Sequence, residues 1–276
     1  MINTIRGLKV FEQAMLEIAN PARGIMVTGW GKFNDLLGGF RPHEFTIFCA
    51  ATGSGKTQWL ATVVAKVITH GEIAFVASVE TGHTDFAKRI MSVLAGKDLN
   101  TGAAVKTQDY SPAVSEHFEA LDKNVIFSTH ENRVDVMEMV ATLRYMCEVE
   151  KVTIAVLDNL NFFLKPTGAN NVIMEYDEAV HSFVMLAKEI PMHIILVMHP
   201  KKSDGKLTSE FDIKGSSTAV QEASNVILMN RLDEDEVPRL GNMFTREFVF
   251  KKIRKRGHNI NRKFYMKYVG SAYVES

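Results

Sequence analysis

Two cysteines in 276 residues are too few for a disulfide framework. Cys49 and Cys147 sit in apolar surroundings at no metal-ligand spacing, so they read as buried thiols of a reducing compartment, and neither a disulfide nor a zinc site is expected. The N-terminus lacks a basic segment leading into an apolar one, and the longest apolar runs, such as His193 to Met198, are strand-sized rather than bilayer-sized. No membrane association is expected, and the reading is a soluble, intracellular protein. Net charge is absent as well, since 32 Lys and Arg balance 32 Asp and Glu. That excludes a surface coated with basic residues and leaves room for a local positive strip. Internal repeats and low-complexity segments are missing, and the length suits one sizeable α/β domain with a short attachment rather than two large domains.

What is present begins with an amphipathic segment. Ile5, Leu8, Phe11, Met15 and Ile18 line one face of a helix over 4–19 that stops at Asn20-Pro21. A linker with Gly24, Gly29, Gly31 and Gly38-Gly39 follows, so the helix is expected to dock on the main body or on a neighbouring subunit. The chain divides into an N-terminal linker helix, 1–21, and a main domain, 22–276. In the main domain short β-rich runs alternate with helical stretches, the pattern of a mostly parallel sheet flanked by helices. Strands are expected at Phe45–Ala50, Ile73–Val79, Val125–Phe127, Val152–Leu157, His193–Met198, Asn225–Met229 and Phe248–Ile253. Helices are expected at about 57–70, 83–95, 134–149 and 175–189. The last strands, ending with Lys263–Tyr268, leave no room for helices and predict antiparallel C-terminal strands. Residues 165–174 and 201–217 read as surface loops.

The strand Phe45–Ala50 runs into Thr52-Gly53-Ser54-Gly55-Lys56-Thr57, which opens a helix, and that is the context a phosphate-binding loop requires. Gly53 and Gly55 let the backbone curl so that its N–H groups converge on phosphate oxygens, aided by the positive end of the helix. Lys56 is expected to reach the β and γ phosphates and the Thr57 hydroxyl to bind magnesium. Ala50 stands where the first glycine of the pattern usually is.

Further residues fall at strand ends. Asp158 follows Val152–Leu157, where a carboxylate either caps a helix or holds magnesium opposite Thr57; the upstream loop favours the second role. Glu80 follows Ile73–Val79, a strand expected beside that of the phosphate loop. It is either a solvated glutamate or the group that polarises the attacking water. His199 follows His193–Met198 and can sense the γ-phosphate, although as a lone histidine it would be unremarkable. The run from Lys251 to His258 is the densest positive cluster. It is either a solvated face or a place where Lys252 and Arg254, two apart on one strand face, point at a phosphate across a subunit interface.

Together these residues resemble the ring helicases of the DnaB superfamily, and look closest to Twinkle-like and phage primase-helicase motors. The resemblance runs from about residue 22 to the C-terminus. It is carried by Glu44 to Phe48 leading into Ala51 to Thr57, by Leu157-Asp158-Asn159-Leu160, by Val197 to Lys202, and by Gly215-Ser216 leading to Gln221 through Val226. It implies a RecA-like P-loop core, hydrolysis of ATP or dTTP with magnesium, and 5′ to 3′ translocation on single-stranded DNA by a homo-hexamer. It also implies that Glu80 is the catalytic glutamate, His199 the γ-phosphate sensor, and Arg254 an arginine finger acting in the next subunit with Lys252 beside it. Gln221 would link nucleotide to DNA, and Arg231 and Tyr268 would sandwich the base. Loops 165–174 and 200–216, with Lys201, Lys202 and Lys206, would contact the DNA backbone. Only some twenty residues precede the motor, so a separate primase is expected, with a polymerase or loader as further partners. The resemblance points to a bacterial or phage-infected cytoplasm ahead of the mitochondrial matrix. A recombinase-like filament, an accessory DNA-dependent ATPase that does not unwind, and a signalling ATPase are the alternatives.

Overall fold

The structure is a computed structural model that describes residues 7–20, 23–99, 121–130, 133–164, 172–201, 206–214, 217–232, 235, 245–257 and 260–275. In chain order, α1 (Gly7–Ala19) and α2 (Gly31–Leu37) precede β1 (Phe45–Ala50), α3 (Lys56–Ile68), β2 (Ala74–Ser78) and α4 (His83–Ala95). Next come β3 (Val125–Phe127), α5 (Val136–Glu148), β4 (Ile154–Asp158), a 3-10 turn (Leu160–Phe163), α6 (Val172–Glu189) and β5 (His193–Met198). After the short α7 (Ser217–Glu222), the strands β6 (Asn225–Arg231), β7 (Arg246–Ile253), β8 (Lys263–Val269) and β9 (Ala272–Glu275) end the fold.

Among the described residues these strands make one 9-stranded sheet in the order β3-β2-β4-β5-β1-β6-β7-β8-β9. The strands β3 to β6 run parallel, and β6 to β9 antiparallel. Residue choice follows this division. The parallel strands β1, β4 and β5 are buried along their whole length and read as continuous apolar runs, because helices cover both faces. In β8, by contrast, Phe264 and Met266 are buried while their neighbours Lys263, Tyr265 and Lys267 are not, the alternation of a sheet packed on one face. One core layer holds α5 and α6 against the sheet; the other holds α2, α3 and α4.

Two expectations need correction, and the alternatives left for α1 are narrowed. The strand before Glu80 is not next to the P-loop strand: β2 pairs with β3 and β4, and β4 and β5 stand between it and β1. Strand order is set by the crossover helices, about which local sequence is silent. The expected glycine linker contains α2, whose Phe33 and Leu37 are fully buried together with Trp30 before the helix and Phe40 after it. Trp30 stacks on Trp59 at 5.7 Å, and Phe33 packs on Phe250 and Phe264 at 5.8 Å. Gly24 belongs to this packing, since a Cβ there would lie 2.3 Å from the Gly38 carbonyl oxygen. Finally, the described apolar side chains of α1 are not covered by the main body: Phe11 is 72% and Ile18 is 75% exposed. The expected residues 4–6 of that helix lie outside the described residues, as do 165–171, 202–205 and 215–216. Both cysteines are free and buried as read, and burial pushes the Cys49 thiol up to about 12.

Candidate nucleotide site

The site forms where β1, β2, β4 and β5 end on the same edge of the sheet. After Ala50, an ordinary buried strand residue, the chain turns through Gly53 (φ 74°) and Gly55 (φ 96°) into α3. A side chain at Gly55 is blocked, because its Cβ would fall 2.2 Å from the Tyr273 hydroxyl. Gly55 caps α3 without a side-chain hydrogen bond, so the first amides of that 13-residue helix stay available to an anion. The helix is held in place by Trp59, stacked on Phe48 at 4.3 Å.

Five of the predicted residues, Lys56, Thr57, Glu80, Asp158 and His199, converge here, and Asn159 joins them. The Lys56 ammonium is buried, 2.8 Å from Glu80 Oε2 and 3.7 Å from Asp158 Oδ1. Asp158, fully buried at the end of β4, accepts on Oδ2 from the hydroxyls of Thr57 and Ser78, each at 3.4 Å. Its Oδ1 has no hydrogen-bond partner. His199, just past β5, lies 3.6 Å from Glu80. Between them sits Asn159, whose Nδ2 donates to Glu80 Oε2 and, at 2.9 Å, to His199 Nε2.

The electrostatics separate these groups. Burial pushes the Asp158 carboxyl upward, outweighing the nearby Lys56, because its charged form is cut off from water. Burial also raises the Glu80 carboxyl, but the bond and charge of Lys56, with His199 and Asn159, overcome this and hold it below the usual range. His199 is lowered by burial first and by Lys56 second, which favours the neutral ring. A buried carboxylate oxygen without a donor, a hydroxyl beside it, a lysine and a helix N-terminus together fit a magnesium-bound triphosphate. Such an ion takes one or two protein oxygens and completes its shell from phosphate and water.

The other predicted residues lie elsewhere. Lys252 is in β7, but the strand ends at Ile253 and Arg254 stands in the following turn, so the two do not share a strand face as expected. They still converge: Lys252 Nζ donates to the carbonyls of Val220 and Gln221, and Arg254 Nη2 donates to that of Glu222 at 3.1 Å. Both cations thus hold the C-terminal end of α7, on which Gln221 is exposed. Arg231 ends β6 opposite Arg246, and Tyr268 lies on β8 with its ring 5.5 Å from that of Tyr273. Lys201 is exposed at the base of the 200–214 loop. Lys206 is turned to the buried carboxylate of Glu247 at 3.7 Å, a placement the loop reading did not foresee. Lys202 lies outside the described residues.

Sequence reasoning missed Asn159, Ser78, Arg246 and Tyr273. Arg246 Nε donates to the Ser54 carbonyl of the loop, and the Tyr273 ring lies against Gly55. No local pattern could reveal these two, since they reach the loop only through the register of β7, β8 and β9. Among the described residues no helix is long and apolar enough to cross a membrane.

Solved structures share this architecture. An ATPase domain matches with a TM-score of 0.80 at 17% identity, over 99% of this chain and 100% of that one. A DnaB-like replicative helicase, described together with its interactions with primase, matches at 0.74 and 16% identity, over 99% of this chain and 67% of that one. A KaiC-like protein from the hyperthermophilic archaeon Pyrococcus horikoshii OT3 matches at 0.63 and 15% identity, over 93% of this chain and 100% of that one. At such identities the likeness speaks to the RecA-like fold. The sequence profile of the DnaB-like helicase C terminal domain matches residues 24–269, nearly the whole domain built around the site. The chain therefore belongs to the DnaB-like helicase C terminal domain family and carries the ATP-hydrolysing domain of a helicase.

Proposed function

We propose that this chain is the motor of a replicative helicase ring that hydrolyses ATP, or dTTP, to translocate 5′ to 3′ on single-stranded DNA. The observation that carries this reading is the pairing of Lys56 with Glu80 beside the Asp158 oxygen that lacks a hydrogen bond, while Arg254 is bonded to α7. In this reading the loop amides of 53–57 and Lys56 bind the triphosphate, which draws Lys56 from Glu80. The freed carboxylate then orients and polarises the attacking water, and neutral His199 accepts or donates a hydrogen bond at the γ-phosphate. Thr57 and Asp158 would hold magnesium, which supplies charge neutralisation across the phosphates. Arg231 and Tyr268 would take the base, with Arg246 and Tyr273 bracing the loop beneath it.

The site is completed by a neighbour. Arg254, with Lys252, acts on the next subunit's nucleotide, and Gln221 on the same short helix passes the nucleotide state towards DNA. The exposed apolar face of α1, with Phe11 and Ile18, packs on an adjacent copy as the linker segment 1–21 attached to the motor domain 22–276. Lys201 and Lys202 contact the DNA backbone, and Lys206 does so only if it leaves Glu247. A hexamer, a separate primase or loader as partner, and a cytoplasmic site of action belong to the same reading.

Strand displacement on a forked duplex with ATP is the direct test. Unwinding from a 5′ tail is expected; hydrolysis stimulated by DNA without displacement would mean an accessory or filament-forming ATPase. Mixing Arg254→Ala subunits with wild type is expected to depress activity beyond dilution, and a strictly proportional loss would place the finger outside the neighbour's site.

A further inference from the structure

Asn159 has no role in the proposed hydrolysis, yet it is the best-connected neutral side chain at the site. It is 2% exposed, and its orientation is fixed by the backbone: Oδ1 accepts from the Asn161 amide at 3.0 Å, capping the 3-10 turn 160–163. With the oxygen so used, the amide nitrogen faces the site, and its hydrogens go to Glu80 Oε2 and His199 Nε2. Because Nε2 receives a hydrogen it carries none, so Asn159 selects the neutral ring protonated at Nδ1. His199 in turn closes the base of the 200–214 loop, its carbonyl accepting from the Lys214 amide at 2.9 Å beside the Pro200–Ile213 bridge.

We propose that Asn159 is a positioning residue that holds the Glu80 carboxylate and the His199 imidazole as one hydrogen-bonded unit, setting the carboxylate's aim and the histidine's protonation. The inference rests on the roles given to Glu80 and His199 above. Once a phosphate draws Lys56 away, the Asn159 amide is, among the described residues, the remaining side-chain donor on Glu80, so it keeps the carboxylate from swinging free. A group aimed by such a bond loses rate rather than substrate affinity when the bond is cut.

The cap and the positioning role can be separated. Serine is as good a cap as asparagine but has no amide hydrogens to give, so Asn159→Ser keeps the turn and removes the unit. Steady-state hydrolysis by the full chain is expected to show kcat lowered about tenfold to a hundredfold, with KM for ATP changed by less than about threefold. A second readout needs no activity: NMR titration of the His199 ring. The ring is faced by Lys56, Glu80 and Lys214; these stay in the variant, and only the bond that favours the neutral ring is lost. The His199 pKa is therefore expected to rise in Asn159→Ser. Wild-type kcat and an unmoved titration in Asn159→Ser, with loss confined to Asn159→Ala, would reduce Asn159 to a cap and overturn the proposal. Glu80→Gln separates this from failure of the underlying reading. If that variant hydrolyses ATP normally, the assignment of Glu80 falls; if it is inactive while Asn159→Ser is normal, only the unit falls.

Discussion

Two histidines bracket one strand and have opposite fates. His193 opens β5 and is fully buried at the lower edge of the sheet, its Nδ1 donating to the Arg41 carbonyl at 2.7 Å and its Nε2 facing the Thr46 hydroxyl at 2.8 Å. Around it Asn225 donates to Glu44 and to Thr46, each at 3.1 Å. His199 follows the same strand at the upper edge, half-buried among Lys56, Glu80 and Asn159. Both clusters hold charged groups and a buried oxygen without a hydrogen bond, Asn225 Oδ1 below and Asp158 Oδ1 above. The difference is that both nitrogens of the His193 ring are paired within the fold, whereas His199 stands with Lys56 and two carboxylates beside a helix N-terminus. Burial with both ring nitrogens paired makes His193 part of the fold; a buried carboxylate oxygen left over beside a lysine and a helix N-terminus makes the upper end a place for a ligand.

Substitutions at the two ends should therefore fail differently. The largest effect is expected at the upper end: Lys56→Ala removes the cation that meets both carboxylates, and phosphate release should fall about a thousandfold or more while the protein stays folded. Normal turnover in that variant would end the assignment of the loop. Next in size is His193→Ala, which leaves a cavity, strips the Arg41 carbonyl of its bond to the ring and leaves the Thr46 hydroxyl with Asn225 alone. Urea denaturation should show a loss of about 3–5 kcal/mol, with kcat per folded molecule near that of the wild type. His199→Ala should reverse the pattern, losing rate and costing less than about 1 kcal/mol. Equal stability losses at the two positions would erase the distinction.

Much of this is legible in the chain, and the illegible parts share a cause. The loop 52–57, its strand and its helix are contiguous, so local pattern suffices. Asp158, Glu80 and His199 stand out because each ends an apolar run, and parallel strands with helical crossovers bring such ends to one edge. What could not be read depends on which strands are neighbours. The separation of β2 from β1, the contact of Tyr273 with Gly55, and the turn that takes Arg254 off β7 are all set by pairings between distant segments. The helix α2 is hidden for another reason. Its flanking glycines read as a linker, while Phe33 packs on Phe250 and Phe264, more than two hundred residues on, and Trp30 stacks on Trp59.

The smallest expected effect tests the closed end by pH. Burial lowers the His193 pKa from 6.5 to about 4 in the folded protein, the bond to Arg41 only partly opposing it. The unfolded chain therefore binds a proton at a pH where the native protein does not. The stability from keeping this ring neutral is complete above pH 6.5 and is lost as pH falls towards 4. Between pH 7.5 and pH 5 the loss amounts to about 2 kcal/mol. His199, also lowered, adds in the same direction. Glu80 is held below the ordinary carboxylate range, so its contribution is lost only in more acid solution, as pH falls through its folded pKa. The comparison that isolates His193 is wild type against His193→Gln, which carries no titrating ring at that position. Denaturation midpoints of the two should converge as pH drops from 7.5 to 5. Parallel midpoints over that range would mean that the lower cluster opens to water, and that the contrast between the two ends of β5 is one of degree.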